Sequence, residues 1–130
     1  MVTVESKENV AIVSPSGELG HRQMVTVKNV ISELLRTKDT NIVLDLGGVE
    51  HINHMTVGVL VERRIRLRSH GGDLRLARPS DYLVQILRFA GVHDHFEIHA
   101  SVETAIESYL DKQEETVLAG QNKSGVPFQH

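Results

Sequence analysis

Alternating and near-continuous apolar runs divide this chain into short strands separated by amphipathic stripes. Val2–Glu5 and Asn9–Pro15 read as an antiparallel pair, with Ser6-Lys7-Glu8 as the turn, because apolar side chains recur at alternate positions. Gly17-Glu18-Leu19-Gly20 then punctuates the chain as a loop. Across His21–Arg36, Met24, Val27, Val30, Ile31, Leu34 and Leu35 recur at spacings of three and four, which predicts a helix closed by residues 37–41. Ile42–Leu46 is nearly unbroken in apolar character, as a central strand covered on both faces must be, and Gly47-Gly48 turns it. A second helix is expected from about Met55 to Ser69, with Val57, Leu60 and Val61 inward and Glu62, Arg63, Arg64, Arg66 and Arg68 mostly outward. Gly71-Gly72 ends it and Asp73–Ala77 is the next strand. Pro79-Ser80 opens a third helix to about Phe89 that packs through Leu83, Ile86 and Leu87. Phe96–Ile98 is a brief last strand, and Ser101 caps a final helix burying Ala105, Ile106, Tyr109 and Leu110.

Strands alternating with helices in this order predict an α/β fold. The expected form is a mixed sheet of about five strands with about four helices packed mainly on one face, joined by right-handed crossovers. The domain spans residues 1–115; from 116 to 130 the pattern loses its period and collects breakers, so a flexible tail is expected. With 40% apolar and 24% charged residues the composition is that of a soluble globular domain. The net charge of −3 argues against a dedicated nucleic-acid binder. No run approaches the ~18–20 apolar residues of a membrane span, and residues 1–7 lack the features of a secretory signal, so a cytoplasmic location without membrane insertion is expected. Without cysteine there is no disulfide, thiol nucleophile or thiolate zinc site.

The chemistry concentrates in Ile52-Asn53-His54-Met55-Thr56-Val57-Gly58-Val59-Leu60. Here a strand stops, turns through polar residues and opens a helix, which gathers free N–H groups and the positive end of the helix dipole. Such a place suits a phosphate or an acidic partner. Asn53 reads as the N-cap of the second helix. His54 either fills a loop position without further role or presents its ring to a partner; its use as a phosphate carrier is the weakest of these readings. Thr56 holds the hydroxyl nearest the helix start, structural by default and a substitute phosphorylation site otherwise. The arginines from 63 to 68 read as a solvated face, or more sharply as a contact for an acidic partner. Eight histidines invite a metal, yet His93-Asp94-His95 and His99, or His51 and His54, lack the spacing that converges ligands, so neither metal nor cofactor is expected. Asp45 is read as a strand-end residue bonding the adjacent turn. No hydrolase, phosphate-loop or dinucleotide motif is present, and the expectation is a protein that is not an enzyme.

Several stretches together resemble the STAS domain family (sulfate transporter and anti-sigma factor antagonist). Gly17-Glu18-Leu19 is similar to the family's Gly-Glu-Leu-Asp loop, with Gly20 in place of the Asp. Ile42–Val49 is similar to the central strand and its turn, Gly71–Leu76 to the next strand, and Leu87–Val92 to the third helix and its end. Ile52–Leu60 follows the family's Ile-Asp-Ser-Ser-Gly-Leu-Gly-Val-Leu in spacing and agrees directly at Gly58, Val59 and Leu60. The resemblance covers about residues 2–112. It implies a protein-binding surface formed by Glu18, Asn53, His54, Met55, Thr56 and Gly58, and an anti-sigma factor with a serine-kinase fold as partner. At the position of the family's phosphorylated Ser stands His54, so the usual switch is absent. The resemblance also allows an accessory subunit of a lipid-exporting ABC system or an anion transporter, or a scaffold component in which STAS domains form homo-oligomers.

Overall fold

The computed structural model describes residues 1–110. Strands β1 (Val2–Lys7), β2 (Val10–Pro15), β4 (Asn41–Asp45), β6 (Asp73–Ala77) and β7 (Ile98–His99) form one sheet in the order β1-β2-β4-β6-β7. β1 is antiparallel to β2, and every other pairing in the sheet is parallel. Strands β3 (Gly17–Leu19) and β5 (Val49–Ile52) form a separate parallel pair. Helices α1 (His21–Arg36), α2 (Gly58–Ser69) and α3 (Asp81–Phe89) fill the connections between the parallel strands, and residues 102–110 form α4.

The strand pleat sorts side chains between two cores. Ala11, Val13, Ile42, Leu44, Leu74 and Leu76 pack with Met24, Val27 and Ile31 of α1, Leu60 and Leu67 of α2, and Leu83 and Leu87 of α3. Their neighbours in sequence, Val10, Ile12, Val43 and Ala77, face the other way and meet Ala105, Ile106 and Tyr109 of α4. Among the described residues three helices therefore cover one face and a single helix the other, which is why Ile42–Leu44 had to be apolar at every position. This is the expected mixed α/β sheet. Among the described residues no helix is long and apolar enough to cross a membrane.

Several boundaries differ from expectation. The first turn lies at Glu8-Asn9 rather than Ser6–Glu8: both residues take positive φ (55° and 64°), and Lys7 pairs with Val10. Two left-handed residues make the tight turn whose twist matches a hairpin, so β1 runs two residues further. The loop expected at 17–20 contains β3, whose pairing with β5 leaves no periodic signal over so few residues. The final strand is Ile98–His99, because His93–His95 forms a 3-10 turn that tucks Phe96 into the core. The expected tail and the boundary at 115 lie outside the described residues.

Candidate protein-binding site

The surface is built where β3, β5 and the start of α2 converge. Glu18 stands beside His51 in the β3–β5 register, and the Asn53 N–H donates to the Leu19 carbonyl at 3.2 Å. The loop after β5 is thereby tied to the loop before α1, and Glu18 joins residues 53–58 as one surface. Asn53 is not the helix cap. Its Oδ1 accepts from the Met55 N–H at 2.8 Å and its carbonyl from the Thr56 N–H at 3.0 Å, closing a turn ahead of the helix. A second turn follows, with Val59 N–H to Thr56 carbonyl and Leu60 N–H to Val57 carbonyl. The helix proper starts at Gly58 with Val57 at its N-cap and no side-chain cap. Sequence reasoning placed that start three residues early, because Val57 and Leu60 keep helical spacing through the turns while buried.

His54 and Met55 project from these turns into solvent, and Met55 is 80% exposed. Gly58 is exposed beside them. Thr56 is half-buried, its hydroxyl donating to the Asn53 carbonyl at 3.1 Å. Two aromatic contacts hold the rim to α3. The His54 ring meets Phe89 edge-on at 5.2 Å between centroids, and His51 Nδ1 lies 2.7 Å from the Tyr82 hydroxyl. Phe89 is itself 78% exposed and Tyr82 largely so. Neither α3 residue was picked out from sequence. The available signal was their polar-face position in a helix that buries Leu83 and Leu87.

The arginine face resolves into internal pairs. Arg63 is buried instead of outward: its Nη1 donates to Ser32 Oγ at 2.7 Å and its Nε to Glu62 at 2.8 Å, joining α2 to α1. Arg64 and Arg68 lie 3.0 and 3.5 Å from the buried Asp73 carboxylate, and Arg66 reaches Glu62 at 3.9 Å. Four arginines thus share two carboxylates, and Arg66 and Arg68 stay about half exposed, so the face keeps a net positive charge. Asp45 does bond its turn, accepting from the Gly47 N–H at 3.0 Å, and also takes a two-pronged contact from Arg78 at 2.9 Å on each oxygen. Partial burial alone would raise this carboxyl; Arg78 and the Gly47 N–H outweigh it and hold the group below the usual carboxylate range. Among the described residues no cluster of His, Asp and Glu is arranged to hold a metal ion.

The arrangement presents a thioether, two aromatic rings and two imidazoles on one rim, over a turn closed by the bonds of Asn53 to Met55 and Thr56. It is suited to binding a protein surface.

The fold is shared with known proteins. A Thermotoga maritima protein described as an anti-sigma factor antagonist superposes with a TM-score of 0.75 at 25% identity, over 82% of this chain and 92% of its own. The Bacillus anti-sigma factor antagonist SpoIIAA, unphosphorylated, gives 0.74 at 20% identity, over 85% and 97%. The murine anion transporter Slc26a9 gives 0.65 at 17% identity, over 78% of this chain and 18% of the transporter. No curated protein sequence matches. The profile of the STAS domain matches residues 1–105. With most of its length matched by that profile and its fold shared with these structures, the chain belongs to the STAS domain family.

Proposed function

We propose that this chain is a regulatory STAS domain without chemistry of its own, acting in the cytoplasm by binding an anti-sigma factor and so controlling sigma-factor-dependent transcription. The observation that carries the reading is the exposed rim of His54, Met55 and Phe89, on a fold shared with anti-sigma factor antagonists; the sequence resemblance sets His54 at the family's phosphorylated Ser. Glu18 and Gly58 extend the same surface. Position 54 offers no hydroxyl to a serine kinase. Thr56 is a poor substitute, because its hydroxyl closes the turn onto Asn53 and phosphorylation would require that turn to open. The domain is therefore constitutively competent to bind, or is controlled through its partner.

The test is calorimetric titration against the anti-sigma kinases encoded in the same genome. Binding is expected for one of them, reduced at least tenfold by His54→Asp, which puts a carboxylate on the rim, and by the pair Met55→Ala with Phe89→Ala. Unchanged affinity in both variants would remove this loop from the interface. Affinity purification from native cells separates the rival reading, which the likeness to a transporter's STAS region favours. Co-elution of a transporter permease in place of a kinase would make the chain an accessory subunit.

A further inference from the structure

We infer that the outer edge of β1 is a homodimer interface in which two copies pair antiparallel about a two-fold axis at Val4, extending the main sheet across both molecules. The argument starts from the hairpin. Its two-residue left-handed turn makes Lys7 and Val10 a hydrogen-bonded pair, and at the other end the Ser16 N–H donates to the Met1 carbonyl at 2.9 Å. The ladder between carries no register shift. Thr3, Glu5 and Lys7 therefore spend their backbone groups on β2, while Val2, Val4 and Ser6 turn N–H and C=O away from the sheet. Among the described residues no strand lies on that side.

Chains that keep an edge strand single shorten it, bulge it, or place a proline or charged side chains on it. β1 has six residues, no bulge and no proline, and its two charges, Glu5 and Lys7, fall opposite Thr3 and Met1 of the copy in a pairing centred on Val4. The opposite edge, β7, is only two residues long, so the free pairing capacity lies at β1.

Parity and charge then choose the register. A slip of one residue sets an outward-facing residue against one already bonded to β2, and the new bonds are not made. Centring on Glu5 opposes like charges, which is unfavourable. Centring on Thr3 shortens the ladder. Centring on Val4 pairs Val4 with its own copy and Val2 with Ser6, each exchanging both backbone groups, and sets the Thr3 hydroxyl opposite the Glu5 carboxylate. Val4 is 47% exposed on the face that carries Val2 and Val13, so the axis also closes an apolar contact. A strand pair is small beside the ~1,200–2,000 Å² of a standard interface, so the association depends on concentration.

Sedimentation velocity of the full chain from micromolar to millimolar concentration tests this. The wild type is expected to shift toward twice its monomer mass. Val4→Pro removes only an outward N–H, so it is expected to keep the wild-type far-ultraviolet spectrum and remain a monomer. Val4→Lys, which opposes two ammonium groups, is expected to do the same. Since the chain has no cysteine, Val4→Cys provides a positional readout. Oxidation is expected to link copies through position 4, at ~5.5 Å between Cα atoms in such a pair. Lys7→Cys, roughly 20 Å from its copy at ~3.4 Å per residue, is expected not to link. A wild type monomeric at every concentration overturns the inference, whether the edge stays open or residues 111–130 occupy it. A dimer that survives both Val4→Pro and Val4→Lys overturns it as well. Neither variant touches the rim at His54, so partner binding and pairing are tested separately.

Discussion

Arg78 holds its backbone at φ 59°, a left-handed conformation that costs a residue with a Cβ about 1–2 kcal/mol. It stays there because the guanidinium closes on Asp45 across Gly47, where an added Cβ would come within 2.3 Å of Arg78 Cζ. Strain and ion pair can be separated by substitution. Arg78→Ala loses the pair and keeps the strain, whereas Arg78→Gly loses both, so the Gly variant is expected to be the more stable of the two by about 1 kcal/mol. Chemical denaturation of both measures this, and the reverse order would show that position 78 is unstrained. The pair also gives stability a pH dependence. A carboxyl whose folded pKa is depressed adds stability above its unfolded value of about 3.9 and loses it as pH falls through the folded value. The stability gap between wild type and Asp45→Asn should thus be constant near neutrality and close below about pH 4. A gap that persists into acid would mean the Asp45–Arg78 contact does not form in solution.

At the scale of elements, α2 shows how a helix can be recognised and its origin misread. Gly58 opens it with free space where a Cβ would point, so Gly58→Ala is expected to stabilise the fold by about 0.5 kcal/mol. Gly72 is the opposite case. A Cβ there would fall 1.9 Å from the Thr40 carbonyl oxygen, at the place where Asp73 N–H bonds that same carbonyl to start β6 beside β4. Gly72→Ala must push two central strands apart and is expected to cost about 3 kcal/mol or more; thermal melts of the two variants should move in opposite directions. Both glycines look alike in the sequence, since the difference is made by a residue more than thirty positions away. Legibility followed the same rule. β4 and β6, buried on both faces, and α1, with its long stripe, declared themselves by composition and period. β3 and β5 did not, because pairs of three or four residues are held by each other rather than by a pattern. Asn53 was misassigned because an Asx turn and a helix cap use the same side-chain oxygen. His54 and Met55 were found by family spacing, whereas Phe89 and Tyr82 were passed over because an exposed aromatic inside a helix reads as one more apolar residue.

For the molecule as a whole, the sheet carries three helices on one face and, among the described residues, α4 alone on the other. Tyr109 anchors that helix. Its single hydroxyl proton is shared between the Ile42 carbonyl at 2.7 Å and the Asp73 carbonyl at 2.8 Å, bridging β4 and β6 where the two strands begin. The guanidinium of Arg75 stacks 4.1 Å from the ring centroid, and its Nη1 also reaches Ser108 at 2.6 Å. Burial, foremost, raises the phenol's pKa far above its usual value, so the shared proton stays on the oxygen well into the alkaline range. Tyr109→Phe keeps the ring and the stacking but removes the proton shared by the two carbonyls, and is expected to cost about 1 kcal/mol. Tyr109→Ala removes the ring as well and is expected to cost about 3–5 kcal/mol. The two variants differ also in where they act. If α4 closes the back of the sheet as a unit, hydrogen exchange in Tyr109→Ala should rise across residues 102–110 and at Val10, Ile12 and Val43, which lose their cover. The rim at 51–58, which rests on the other core, should keep its wild-type protection and its partner affinity. Protection lost evenly over both faces would show that the two cores unfold as one and that the helix on the back supports the binding surface too.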